Sequence, residues 1–258
     1  MIDVQGLMAE GCKSSSVVGI GLPEDMFEIT DKQLKARNCK IQLKRADDPH
    51  ELIFSLKSGR IDAALRGTLR ATEVLKELKG AFSLTSTMRV AVMSAQNGKM
   101  FLLAPVGIDE GRDMESRLSI VRSSISYFSR AGWVPTVAVL SKGRPEDAHR
   151  GEDIRYSIKE GEKIAAILKG EGIEAKHVAI LIEEAVKDAD MVLAPDGVSG
   201  NLVFRALHFV GGTKAFGAPV VNIDKVFVDT SRSKSDFSEP VMLAAGLAQA
   251  RSKRSGVA

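Results

Sequence analysis

A chain of 258 residues with 44% hydrophobic and 27% charged residues can bury one large core or two modest ones, which excludes a disordered or fibrous polymer. Its 36 basic and 33 acidic side chains leave a net charge of only +3, dispersed along the chain, a balance that favours a small anionic ligand over a nucleic-acid backbone. No apolar run approaches the roughly 20 residues that span a bilayer, and the first residues lack the basic-then-apolar order of a secretory signal, so a cytoplasmic location is expected.

Short β-rich apolar runs alternate with amphipathic helices, the pattern of an α/β fold with a mostly parallel sheet and helices on its faces. Cys12 and Cys39 lie outside any Cys-x-x-Cys spacing and are expected to be idle thiols. Residues 16–22 read as the first strand, and Pro23, with no N–H to satisfy, is placed to open the next helix. Residues 40–45 and 61–66 read as strands separated by a helix through Glu51 to Ser58 that ends at Gly59. A helix through Thr72 to Lys79 is expected to stop at Gly80.

Residues 89–104 differ in kind. Asn97-Gly98 supplies the two positive φ angles of a type I′ turn, which predicts an antiparallel hairpin inside a parallel pattern and a handover between subdomains. Beyond it, Met114, Leu118, Val121, Ile125 and Phe128 recur at helical spacing up to Gly132. Residues 136–141 read as a strand, and 152–169 as a helix in which Gly161 costs about 1 kcal/mol relative to alanine. Then come a strand over 190–195, a helix from Leu202 to Val210, and one or two strands over 218–229. The basic run Arg251-Ser252-Lys253-Arg254 reads as a frayed, solvated end.

Three stretches carry candidate chemistry. In Asp190 to Gly212 a buried strand delivers Asp196 to its carboxyl end, and a turn with Gly197, Ser199 and Gly200 follows. Asn201 can then cap a helix whose free N–H groups suit an anion. A plain βα loop would use the same residues. Residues 228–236 combine Asp229, Thr230, Ser231, Arg232, Lys234 and Asp236 after an apolar strand, a set suited to phosphate, although a solvated loop has similar composition. Residues 62–68 bring Arg66, Gly67 and Thr68 to another strand end, again with a simple turn as the alternative. Other signals are weaker. Gly19-Ile20-Gly21 is followed by Glu24 where a dinucleotide fingerprint needs glycine, His50, His149, His177 and His208 have no metal spacing, and Trp133 reads as packing. No metal is assigned.

Taken in chain order, residues 62–68, the strand and Gly/Lys-rich, Glu-Asp loop of 132–153, and residues 190–232 resemble the signatures of the phosphate acetyl- and butyryltransferase (phosphotransacetylase) family. That family carries a Pro-Asp…Ser-Gly-Asn helix, an Asp-Leu-Ser-Arg turn and an earlier glycine-containing strand end. The resemblance runs from about residue 17 to 248. It implies two α/β domains of the isocitrate and isopropylmalate dehydrogenase type with a cleft between them, here 1–88 plus 225–258 and 89–224, usually in a homodimer. It also implies a cleft that takes coenzyme A, or another phosphorylated cofactor, and an acyl phosphate as substrates. Carried over by residue, Ser231 and Arg232 would be catalytic, and Arg66, Thr68, Asp196, Ser199, Gly200, Asn201, Lys234 and Asp236 would bind phosphate or ligand. Ser233 stands where the family has glycine, and Ala104-Pro105 replaces its strand end after the hairpin.

Over its whole length the chain is also similar to a methanogen family named for a methyltransferase subunit. The likeness rests on length, on the Gly19-to-Pro23 opening and on the Pro195-to-Asn201 loop. It implies a place in a methyltransferase complex, although no glycine-rich S-adenosylmethionine loop, cobalamin-type histidine motif or zinc-thiolate spacing is present. A third reading is a binding module that retains the fold without catalysis.

Overall fold

The computed structural model describes residues 3–232 and 234–255. The chain divides into two units. One is built from residues 3–87 and from Phe216 onward, and the other from residues 88–215, so the return to the first unit comes at Phe216 against an expected 225.

The first unit opens with α1 (Val4–Lys13), capped by Asp3, whose carboxylate accepts from the Gly6 N–H at 2.7 Å. There follow β1 (Val17–Ile20), α2 (Glu24–Ala36), β2 (Gln42–Arg45), α3 (Pro49–Lys57), β3 (Ala63–Leu65) and α4 (Ala71–Phe82). The second unit holds β4 (Ala91–Ser94), β5 (Met100–Ala104), α5 (Met114–Ser129), β6 (Val137–Val139) and α6 (Glu152–Gly170). It continues through β7 (Ala175–His177), α7 (Ile182–Asp188), β8 (Met191–Leu193) and α8 (Gly197–Arg205), which runs into a π-helical turn at Ala206–Val210. The chain returns through β9 (Lys214–Pro219), β10 (Val226–Asp229) and α9 (Ser238–Ser255).

In the first unit the strands lie in the order β2-β1-β3-β10-β9, all parallel except β9. In the second the order is β4-β5-β8-β6-β7, all parallel except β4. The α/β class read from the sequence is therefore what forms. Every residue of β3, β10, β5, β6 and β8 is buried, as expected of parallel strands covered on both faces. Leu52, Ile53 and Leu56 of α3 and Val74 and Leu78 of α4 pack with Ile61, Ala64 and Phe227 in one core. Alternation along the strands turns Ala63, Leu65, Val226 and Val228 to the opposite face, where α9 packs on β1, β3 and β10. Among the described residues no helix is long and apolar enough to cross a membrane.

Helix α1 docks on α9 through glycine. A Cβ on Gly11 would lie 2.3 Å from the Met242 carbonyl oxygen and 2.5 Å from the Gly246 nitrogen, and one on Gly246 would lie 2.3 Å from the Leu7 carbonyl oxygen. Only hydrogen at both positions lets the two backbones approach this closely.

Local expectations fail in four places. Cys12 and Cys39 are not idle thiols but a disulfide, tying the end of α1 to the turn after α2. Helix α4 passes through Gly80, whose surroundings are open, and ends instead at Ser83 with φ of +54°. In the hairpin only Gly98 has positive φ, at +84°, and its N–H donates to Ala95. The turn is a longer one with a left-handed glycine, and the Asn97 side-chain Oδ1 accepts from the Lys99 N–H at 3.0 Å. The basic tail is helical, with Arg251 donating to the Asp224 carbonyl at 2.6 Å and Lys253 3.5 Å from Glu10.

The glycine contact predicts opposite outcomes for two alanine substitutions. Gly11→Ala must push against backbone and is expected to lower the thermal midpoint by about 3–10 °C. Gly80→Ala, exposed in a helix interior, is expected to raise stability by about 0.5–1 kcal/mol. Calorimetry on the two variants checks both.

Candidate functional site

The parallel strands β1, β3 and β10 end at one edge of the first unit, and their loops are stapled there by backbone hydrogen bonds. Gly21 N–H donates to Leu65 at 3.3 Å, Thr68 N–H to Gly21 at 2.9 Å and Arg66 N–H to Val228 at 3.1 Å, and the Thr230 hydroxyl donates to Gly67 at 3.2 Å. Gly67 is required twice over. Its φ is +62°, and a Cβ there would lie 2.1 Å from the Gly21 oxygen.

Within this edge Arg66 is buried and committed. Its Nε donates to the Asp229 carboxylate and its Nη1 to the Leu69 carbonyl at 2.8 Å. Asp229 is buried too, so a permanently charged guanidinium and its counter-ion form a closed pair holding β3 to β10. Thr68 is half-buried, with its hydroxyl 3.4 Å from the Gly21 oxygen. The chain leaves β10 through buried Thr230, half-buried Ser231 and exposed Arg232. A turn then closes from the Lys234 N–H to the Ser231 carbonyl at 3.3 Å. Ser233 lies outside the described residues. Asp236 opens α9, accepting from the Ser238 N–H at 2.8 Å and hydroxyl at 2.7 Å. Asp62 sits at the other end of β3, accepting from the Val17 N–H at 2.7 Å.

In the second unit, α8 begins at Gly197, five residues ahead of the expected Leu202, and its cap is Asp196 rather than Asn201. The Asp196 carboxylate accepts from the Ser199 N–H at 2.7 Å and lies 3.3 Å from the Lys142 ammonium. Burial works to raise this carboxyl's pKa, but the Ser199 hydrogen bonds and Lys142 outweigh it and hold the group below its usual value. The helix end thus already carries an anion of its own. Gly197 and Gly200 serve packing: a Cβ on either would lie 1.9 Å from the backbone oxygen of Gly107 or Pro105, respectively. Asn201 lies within the helix and donates to the Val106 carbonyl at 2.8 Å.

Sequence reasoning placed residues 132–153 in the resemblance but singled out neither Lys142 nor the pair beside it. Ser141, buried just after β6, donates to the Gly143 carbonyl at 2.9 Å and lies 2.9 Å from His177 Nε2. The Gly143 carbonyl and the imidazole together anchor this loop. Gly161 makes room for it, since a Cβ there would lie 2.8 Å from the imidazole. The signal was that glycine, central in a long helix. Burial lowers the His177 pKa from its usual 6.5, with the Glu162 charge acting the other way. Trp133 is buried and stacks on Phe128, as expected of a packing residue. Among the described residues no group of three or more His, Cys, Asp or Glu is placed to hold a metal ion.

No family model matches the chain. Two Methanosarcina proteins, both carrying the provisional name methyltransferase mtx subunit X, are similar to it. The one from M. acetivorans is 39% identical over 88% of this chain and 81% of its own, and that from M. mazei 38% identical over 92% and 85%. A protein of Methanopyrus kandleri named as an uncharacterized methyltransferase is 43% identical over 82% of this chain and 85% of its own. Among solved structures, a branched-chain phosphotransacylase from Enterococcus faecalis superposes with a TM-score of 0.71 at 20% identity, covering 90% of this chain and 99% of that one. A phosphotransacetylase from Streptococcus pyogenes gives 0.63 at 14% identity over 96% and 99%. A 4-hydroxythreonine-4-phosphate dehydrogenase from Klebsiella pneumoniae gives 0.56 at 12% identity over 95% and 86%. At these identities the structural likeness establishes the fold.

The buried pair and the buried imidazole each predict a measurable response. Asp229→Asn leaves the Arg66 charge buried without its counter-ion and is expected to cost about 3–5 kcal/mol in urea unfolding, whereas the joint change Arg66→Met with Asp229→Leu costs much less. Because the folded-state pKa of His177 is lowered, its contribution is present above the usual value and is lost as pH falls through the folded value. The thermal midpoint of the wild type should therefore fall more steeply than that of His177→Gln from about pH 7 to about pH 5.

Proposed function

The chain belongs to the family of methanogen proteins that carry the provisional name methyltransferase mtx subunit X, and on that premise we propose that it is a transferase of the phosphate-acyltransferase type. Its ligand is phosphate-bearing, an acyl phosphate or a coenzyme A thioester. The observation that carries this reading is the loop after β10. That loop leaves the carboxyl end of a buried parallel strand, stands beside the stapled β1 and β3 loops, and presents Ser231, exposed Arg232 and Lys234 within four residues. Of the two nearest carboxylates in sequence, Asp229 is engaged by Arg66 and Asp236 accepts from Ser238.

The roles follow from donor chemistry. Arg232 offers a planar, permanently charged fork that holds two phosphate oxygens, and Lys234 adds a point charge. Ser231 and Thr68 supply neutral donors, Ser231 toward charge that develops during transfer. Arg66 and Asp229 hold the frame. In the second unit Asp196, Ser199, Gly200 and Asn201, with Lys142, set the first turn of α8. The fold shared with phosphotransacetylases supports the same reading. It extends to a homodimer, for which the exposed Val198, Leu202, Phe209 and Val210 of α8 and its π turn offer an apolar face.

A second reading is favoured by the names of the Methanosarcina relatives: a subunit of a methyltransferase complex that uses the same loop for a phosphorylated cofactor. Acyl transfer is then absent from the folded protein at every acyl chain length.

The test is acetyl and butyryl transfer between coenzyme A and phosphate. Arg232→Ala is expected to lower the rate by about 10²–10³, and Ser231→Ala to act in the same direction more mildly. Acetyl phosphate at a hundredfold excess over its Kd is expected to raise the wild-type thermal midpoint by about 5 °C or more. Full activity in Arg232→Ala would refute the site, and no activity in folded wild type the reaction.

A further inference from the structure

We propose that Cys12 and Cys39 form a reversible redox site on the surface of the first unit, opened by a dithiol reductant, and that its reduction releases α1 without unfolding the protein.

The inference rests on where the bond sits. Both cysteines are only half-buried, and Cys39 lies in a turn whose neighbours from Lys35 to Asn38, and Lys40, are all exposed. Asn38 in that turn has φ of +56°. An incoming thiolate therefore reaches the Cys39 sulfur more easily than that of Cys12, which lies close to buried Gly11 and Ser14. The charges around the bond are mainly cationic. Lys13 and Lys40 adjoin the two cysteines and Arg37 is two residues from Cys39. Of the nearby carboxylates, Glu10 is engaged by Lys13 at 3.2 Å and Lys253 at 3.5 Å, and Asp31 by Lys35 at 2.6 Å. A cationic surface draws in a thiolate and stabilises the thiolate that leaves.

The core on the α3 and α4 side of the sheet forms without the bridged helices. The cluster around Leu52, Leu56, Val74 and Phe227 contains no residue of α1 or α2. The loop the bridge closes is already shaped by hydrogen bonds from Lys40 N–H to Cys12 at 2.7 Å and from Gln42 N–H to Ser16 at 3.0 Å. What the bridge adds is a further fixing for α1, which is also held by its glycine contact with α9 and by the buried side chains of Val4 and Met8.

The step balances. A thiolate of the dithiol attacks Cys39 Sγ, the Cys12–Cys39 bond breaks, and Cys12 leaves as a thiolate that takes up a proton. The second thiol of the reductant then attacks the mixed disulfide, releases Cys39 and leaves the reductant oxidised to its own disulfide, two electrons having passed to the pair.

The experiment compares wild type as purified without reductant, after dithiothreitol, and after return to oxidised glutathione, with Cys12→Ser/Cys39→Ser alongside. Expected are no Ellman-reactive thiols before reduction, both cysteines reactive after it, and recovery of the bridge on re-oxidation. The reduced protein keeps its far-ultraviolet dichroism, with a thermal midpoint lower by about 5–10 °C. Amide exchange over residues 4–13 and 35–40 rises by about tenfold or more while that over 61–66 is unchanged. Thiols that react before any reduction, global loss of dichroism on reduction, failure to re-form the bridge, or exchange in α1 that is the same in both states would each overturn the proposal. Should the serine variant fail to fold, reduced wild type gives the same readings.

Discussion

One ion pair holds together the edge on which the first unit's chemistry is proposed. Arg66 and Asp229 are 163 residues apart in sequence and meet at the ends of neighbouring parallel strands, both out of water. Two buried charges repay their desolvation only when geometry and further hydrogen bonds complete the pair, and the Leu69 carbonyl supplies one such bond. The Asp229 carboxylate thus fixes where β10 ends, and with it where Ser231 and Arg232 emerge. The arginine that looks most like a ligand, just after β3, is the one that builds the frame, and Arg232, in the loop after β10, is exposed.

The second unit solves a similar problem by backbone contact. The loop after β5 is held by Glu110, which accepts from the Arg89 guanidinium at 2.7 Å and from the N–H groups of Arg89 and Gly107 at 3.1 and 3.2 Å. Onto this loop α8 lays two glycines and the Asn201 amide. The first turn of α8 is thereby fixed without an apolar side chain on its inner side, and its apolar residues Val198 and Leu202 remain outside.

Much of the fold was legible because parallel strands buried on both faces produce short apolar runs between helix-forming segments, as in 61–66 and 190–195. What escaped depends on contacts between distant residues. Asn201 looks like a cap, but Asp196 is at the true helix start and takes the role, a matter of where α8 docks. Gly80 looks like a stop, yet α4 has Val74 and Leu78 buried on one side and open space at Gly80, so packing carries the helix past it. The cysteines have no motif because the pairing comes from bringing the ends of α1 and α2 together. Arg66 and Arg232 were legible as strand-end cations, but nothing local says that Arg66 is the one paired with Asp229.

The first unit is assembled from both ends of the chain, and this orders its history during synthesis. Residues 88–215 are contiguous and leave the ribosome as a complete unit, whereas β3 has one neighbour, β1, until β10 is made. For that interval the far edge of Ala63–Leu65 presents unpaired backbone groups, and the guanidinium of Arg66 stays in water because its carboxylate does not yet exist. A nascent chain stalled before residue 226 would therefore carry one finished unit and one open sheet edge, the natural point at which a chaperone is needed.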